Sequence, residues 1–228
     1  MQNAMPYRCS AFALFAAALL LVPTAYAQQE EELPTIEEKT QGMERMDGFF
    51  PLYWDAAAGK LWLEIPRMEE EFLYVSSLPV GLGSNDVGLD RGQLGGERVV
   101  HFERIGPKVH LVQPNLDYRA STDNPMEAKA VRDAFAKAVV WGFEVAAETG
   151  GRVLVDATDF VVRDAHGIAR RLKQTNQGAF SLDKSRSAPY LPRTKAFPQN
   201  TEMEARLTFT SDEPGGAYVR DVAADPQA

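Results

Sequence analysis

The chain has 228 residues, with 24 Lys+Arg against 32 Asp+Glu for a formal net charge of -8, and 45% of its residues are hydrophobic. These fractions belong to a folded chain of one domain, or at most two, and they exclude wholesale disorder, collagen-like repeats and a polytopic membrane protein. An acidic chain without a basic cluster also repels phosphate, so no nucleic-acid partner is expected.

Met1–Ser10 carries the single charge of Arg8, and Ala11–Val22 is an unbroken apolar run that stops at Pro23. Ala25-Tyr26-Ala27 then offers the small residues that signal peptidase requires. The pattern predicts a secretory signal over 1–27, cleaved at Ala25 and Ala27, and an exported chain, periplasmic or secreted. An uncleaved anchor is disfavoured because the run is shorter than the ~20 residues of a spanning helix. Cys9 is the sole cysteine and leaves with the signal. Thiolate zinc sites, iron–sulfur clusters and a cysteine nucleophile are therefore excluded from the mature chain.

Residues 28–47 read as an acidic flexible leader, because Gln28–Glu38 is rich in carboxylates and offers little to bury. Phe49–Trp54, the turn Asp55–Gly59 and the alternating Lys60–Ile65 predict a hairpin, and Phe72–Leu78 a third strand. Val80–Gln93 holds several glycines and no apolar period, which marks a long shaped loop. Arg98–Arg104 and Lys108–Gln113 flank Ile105-Gly106-Pro107 as a second hairpin. From Pro125 to Glu148, apolar residues at steps of three and four predict one long amphipathic helix, with Asn124 or Asp123 as N-cap and Gly150-Gly151 as its stop. Arg152–Val155 and Phe160–Val162 are short β-branched runs, Ser185–Pro198 has little pattern, and Glu204–Thr210 alternates as a last strand. The class expected is α+β, antiparallel hairpins with one long helix over about 125–148, in a single domain over 48–211. Residues 212–228 read as a polar tail, the truncated start of a longer chain.

Three histidines lie beyond the signal, His101, His110 and His166, and no H-E-x-x-H, H-x-H or H-x-x-x-H occurs. Pairing Arg104 with Val109 puts His101, Glu103 and His110 on one face of the second hairpin, where two imidazoles and a carboxylate could ligate zinc. The competing reading is the wet face of an amphipathic hairpin, since Val100, Phe102, Val109 and Leu111 occupy the other side. Asp156, Asp159 and Asp164 lack calcium-loop spacing, so Asp156 reads as a cap or turn residue. Ser185 and Ser187 lack a nucleophile elbow, and a serine hydrolase has little support. In the Gly-rich loop the glycines miss the dinucleotide spacing and no helix follows. That loop is read instead as an interaction surface, through Gly81, Gly83, Asn85, Asp90 and Arg91, or as a loop clamped onto its own domain with Asp90-Arg91 as a local ion pair.

The stretches Gly48–Pro66, Glu71–Gln93, Val99–Asn115, Val153–Asp164 and Ala196–Phe209 together resemble one uncharacterised domain. That domain stands between the signal peptide and the catalytic domain of large exported bacterial zinc-dependent metalloproteases, and the V-G-L-D-R-G-Q loop is the most specific part of the likeness. The resemblance implies a metzincin-like zinc site in a downstream domain, with no catalytic residue, zinc ligand or cofactor in this chain. It also implies the protease domain of the same polypeptide as partner, and a peptide or protein substrate as a second one. The function expected is a non-catalytic accessory region. The alternative is a stand-alone periplasmic binding module. A hydrolase using the Asp and Ser residues above is a third and weaker option.

Overall fold

The computed structural model describes Met1 and residues 32–227, so Ala25, Ala27 and the rest of the predicted signal fall outside the described residues. Strands β1 (Glu44–Met46), β2 (Leu52–Asp55), β3 (Lys60–Ile65), β4 (Phe72–Leu78), β5 (Gln93–Ile105), β6 (Lys108–Gln113), β7 (Ala138–Thr149) and β8 (Arg152–Asp156) form one antiparallel sheet. Its order is β1-β2-β3-β8-β7-β6-β5-β4. Short turns set the hairpins. Gly150 and Gly151 take φ +59° and +82° between β7 and β8, the paired left-handed conformations of a tight turn that suits strand twist.

The sheet curls into a half-barrel. Phe50, at the entry to β2, packs its ring 4.9 Å from Phe72 of β4 and 5.5 Å from Phe102 of β5. Those strands stand near opposite ends of the sheet order, so the ends must bend toward each other. The inner face holds the main core, with Leu52, Leu61, Leu63, Ile65, Val100, Phe102, Val109, Leu111, Phe143, Val145, Val153 and Val155 all buried.

At β2, β3, β7 and β8 the outer face is buried too. Helix α1 (Ile36–Lys39) covers Tyr53, Trp62, Ala147 and Leu154 with Ile36, which is 1% exposed. Thr35 and Glu38 make a reciprocal capping box that starts this short helix. Beneath it lies Glu64, 2% exposed. Its carboxylate accepts Tyr53 Oη at 2.6 Å and Arg152 Nη1 at 2.6 Å. Arg152 Nη2 donates onward to Glu37 Oε1 of α1 at 2.9 Å, and Thr149 Oγ1 donates to Glu37 Oε2 at 2.8 Å. Burial, then the hydrogen bond to Glu64, pushes the Tyr53 phenol well above its ordinary value. The Thr149 hydroxyl, a backbone N–H and Arg152 pull the Glu37 carboxyl down to about 2. A carboxyl depressed by folding stabilises above its unfolded value and loses that contribution as pH falls through the folded one. The attachment of α1 is therefore expected to persist at pH 5 and to weaken as pH falls from about 4.5 toward about 2. A carbon-detected NMR titration of Glu37 should show this low midpoint, with the Ile36 amide shift following it; a Glu37 midpoint near 4.5 would refute the staple.

The protein is thus mostly β, and the expected α+β class with a long amphipathic helix is corrected. Helix α2 spans only Pro125–Ala134, with Asn124 Oδ1 accepting Met126 N at 3.0 Å and Pro125 in its first turn as read from the sequence. From Ala138 onward the predicted helix is β7. Val139, Val140, Trp141, Phe143 and Val145 are β-branched or aromatic, and Gly142 weakens a helix in their midst. Phe143 and Val145 face the core with Glu144 outside between them, the period of a strand. The last run, Phe160–Val162, also departs from expectation: Thr158–Val161 is the short helix α3. The expected flexible leader is structured from Leu33 onward through α1 and β1.

A second, smaller core lies below β4. Helices α4 (Ile168–Gln174) and α5 (Ala217–Val222) enclose Leu172, Phe180, Val219, Val87 and Leu89, beside the hairpin partners β9 (Ser181–Pro189) and β12 (Ala205–Thr210). A separate hairpin of β10 (Lys195–Phe197) and β11 (Asn200–Glu202) instead meets the entry to β2, where Phe49 N donates to Phe197 O at 2.7 Å and Phe50 N to Thr201 Oγ1 at 3.0 Å. Helix α5 falls in the region read as a polar tail.

Candidate functional site

The Gly-rich loop leaves β4 at Pro79 and returns at β5. A Cβ at Gly81 would stand 2.8 Å from both Arg91 N and Leu89 O, so only glycine lets the two limbs approach so closely. Leu82 N donates to Leu89 O at 3.1 Å and Gly92 N to Leu78 O at 2.8 Å, which closes the neck. Between the limbs, Asn85–Val87 makes a single 3-10 turn that ends at Gly88 in the left-handed region. Val87 and Leu89 are 1% and 2% exposed within the smaller core, and Arg171 Nε of α4 donates to Val87 O at 2.5 Å.

The loop therefore has a buried root and an exposed tip. Gly83, Ser84, Asn85 and Asp86 at the tip face Tyr218, Asp221 and Val222 of α5 across an open groove of about 380 Å³. The wall formed by α5 is fixed from below. The buried Gln177 side chain accepts Tyr218 N at 3.0 Å and Val219 N at 3.3 Å, and donates to Thr175 O at 2.8 Å. Tyr218 and Val222 keep 41% and 43% of their surface exposed in this groove. The lining thus combines the carboxylates of Asp86 and Asp221, the Asn85 amide, the hydroxyls of Ser84 and Tyr218 and half-exposed apolar side chains.

Of the residues read as an interaction loop, Gly83 and Asn85 lie at the groove and Gly81 at the neck. Asp90 and Arg91 are exposed on the returning limb, and among the described residues they form no ion pair with each other. The clamp expected of them is supplied by Val87 and Leu89 instead. The α5 wall was missed by sequence reasoning. Its signal was the apolar spacing of Tyr218, Val219 and Val222, at helical steps within the segment read as a polar tail.

The second hairpin has the anticipated register, with Glu103 opposite His110, Arg104 opposite Val109 and His101 opposite Val112. Glu103 is bound by the Lys137 ammonium, which holds its carboxyl below the usual range. His101 Nε2 lies 3.6 Å from Glu69 Oε2. Among the described residues no group of three or more His, Cys, Asp or Glu is placed to hold a metal ion. The three aspartates have separate structural partners. Asp156 accepts Thr158 N at 2.9 Å, Asp159 pairs with Lys184 at 2.7 Å, and Asp164 accepts Ile168 N and Ala169 N at the start of α4. Ser185 Oγ donates to Asp183 in a local turn. Among the described residues no helix is long and apolar enough to cross a membrane.

A family model described as Domain of unknown function (DUF5117) matches residues 92–225, and one described as Domain of unknown function (DUF5118) matches residues 33–81. The first spans more than half of the chain. Comparison with curated proteins and with solved structures found no match. The two matched regions share one sheet: β1–β3 and β4 come from the second match and stand at its two ends, with β5–β8 of the first between them. The tip of the Gly-rich loop lies in the interval between the two matches.

Proposed function

We propose, from the premise that this chain belongs to the DUF5117 family, that it is the non-catalytic N-terminal accessory region of an exported zinc-dependent metallopeptidase. The protease domain further along the polypeptide carries the zinc and docks at the groove between the loop tip and α5. The observation that carries this reading is that groove: the loop most specific to the resemblance is rooted in the fold and leaves its tip open. A stand-alone binding module would use the same groove for a separate peptide, and the half-exposed Tyr218 and Val222 suit that occupant as well.

The test uses the full-length parent. Gly83 is a poor probe, because its φ of +85° strains any side chain placed there. Val222→Arg and Tyr218→Ala alter the groove from exposed positions. Each should leave thermal unfolding unchanged and lower peptidase activity per folded molecule about tenfold, the effect of losing ~1.4 kcal/mol of contact. Unchanged activity in both variants overturns the docking reading; a parent frame without a zinc-protease motif, together with peptide binding lost in the same variants, favours the stand-alone module. Export rests on the signal pattern and has its own check. Intact mass of the exported protein should place its first residue at Gln28, and retention of Ala11–Val22 would refute cleavage.

A further inference from the structure

The two matched regions are built into each other. Residues 33–81 supply α1 and β1–β4, and residues 92–225 supply β5–β8 together with α4 and α5. Ile65 ends β3 and Phe72 begins β4 a few residues later, yet β8, β7, β6 and β5 stand between them in the sheet. Alone, residues 33–81 would hold a three-stranded ribbon and a strand without a partner. Both ladders that tie these strands to the sheet end on the second region. Leu63 pairs with Val155 and Ile65 with Val153 of β8, while Phe72 pairs with Val100 and Tyr74 with Arg98 of β5. The core crosses the same seam. Leu52, Leu61, Leu63 and Ile65 are at most 2% exposed and share one cluster with Val100, Leu111, Val153 and Val155. Separation would also strip Glu64 of Arg152, and Glu37 of Arg152 and Thr149. A stretch of about 50 residues is already marginal as a fold, and this one gives its apolar face to the other region.

We infer that the two regions are halves of one fold, each the binding partner of the other, and that the peptide link across the Gly-rich loop is not what holds them together. The link crosses at the exposed tip, at Ser84 and Asn85 beside the open groove. Its buried root, Val87 and Leu89, packs with Leu172, Phe180 and Val219, all of the second region. A chain ending at Ser84 therefore keeps every strand of the first half, and a chain beginning at Asn85 keeps the root of the loop. The surface that binds the first half is the free edge of β8, the free edge of β5 and the apolar face between them. The kind of partner that a separate 33–81 region fits is thus a chain bearing the 92–225 region. This inference concerns the seam of the sheet and stands independently of the proposed function.

The test inserts a specific protease sequence between Ser84 and Asn85 of the full chain and cuts it after folding. At micromolar concentration the two pieces should travel as one particle in native buffer and part only in urea. The uncut chain should unfold in a single transition, and the cut protein in one whose midpoint rises with concentration. Pieces separated in urea should reassemble when remixed by dilution. Ile65→Val, at the β3–β8 seam with none of its surface exposed, should raise the dissociation constant of the cut protein about fivefold. Leu73→Ser, 64% exposed on β4, should change it less than about twofold. Pieces that separate in native buffer or stay apart on remixing, an uncut chain that unfolds in two steps, or equal effects of the two substitutions overturn the inference.

Discussion

Replacing Arg152 with alanine is expected to lower the unfolding free energy by about 2–3 kcal/mol. Glu64 sits beneath α1 with 2% of its surface exposed, and Arg152 Nη1 meets it at 2.6 Å. Truncating one partner of a buried pair leaves the other charge desolvated and uncompensated, a loss of about 3–5 kcal/mol when both are deep. Here 32% of the Arg152 side chain is exposed, so water screens part of the effect. Glu64→Gln should cost less, about 1 kcal/mol, because the amide oxygen still accepts from Tyr53 while the charge is gone. Arg152→Leu with Glu64→Leu should recover much of the single-variant loss, since neither charge is then stranded. Urea unfolding of wild type, Arg152→Leu, Glu64→Leu and the double leucine variant closes a double-mutant cycle and gives the coupling. A loss below about 0.5 kcal/mol for Arg152→Ala would mean that Glu64 is hydrated and that the network is surface decoration.

That network also marks where the sequence could and could not be read. The alternating Lys60–Ile65 run announced a strand with one buried face. Nothing in it announced that Trp62 and Glu64 on the other face are buried as well, because the cover, α1, comes from an acidic segment with one apolar side chain at its centre. The signal that was available is the capping box Thr35-Ile36-Glu37-Glu38, a helix start with a hydrophobic residue just inside it. The turn and register of the second hairpin were legible, since the turn holds Gly106-Pro107 and the flanking residues alternate, but β5 begins at Gln93, five residues before the expected Arg98, where Gly95-Gly96 hide the strand. The β7 error has the opposite cause. Alanines at 134, 136, 138, 146 and 147 raise helix propensity on both sides of Val139–Val145, and an apolar stripe at steps of three and four can be drawn through them. Pairing of β7 with β6 and β8 outweighs that local preference. The groove was half legible for a related reason. A glycine-rich loop is visible as a shape, whereas the side chains that root it, Val87 and Leu89, have no periodicity to betray them, and its facing wall lies more than a hundred residues away.

Leu89→Ala is expected to destabilise the protein by about 3 kcal/mol, within the ~2–5 that a buried leucine truncation costs in a closed core. Leu89 is 2% exposed and packs with Val87, Leu172, Phe180 and Val219, and its carbonyl closes the neck of the loop by accepting Leu82 N. The cavity cannot be filled by collapse. On one side Gly81 already holds the backbone of Arg91 and Leu89 at closest approach, and on the other Gln177 pins α5. Arg91→Ala, two residues on, is exposed and should change stability by less than about 0.5 kcal/mol. The contrast between neighbours separates the two readings of the loop, because a root that stabilises and a limb that does not leave the limb and tip free for recognition. Thermal and urea unfolding of both variants decide the matter. Equal losses would make the whole loop a structural clamp, and equal tolerance would mean that Leu89 is not seated in the smaller core at all.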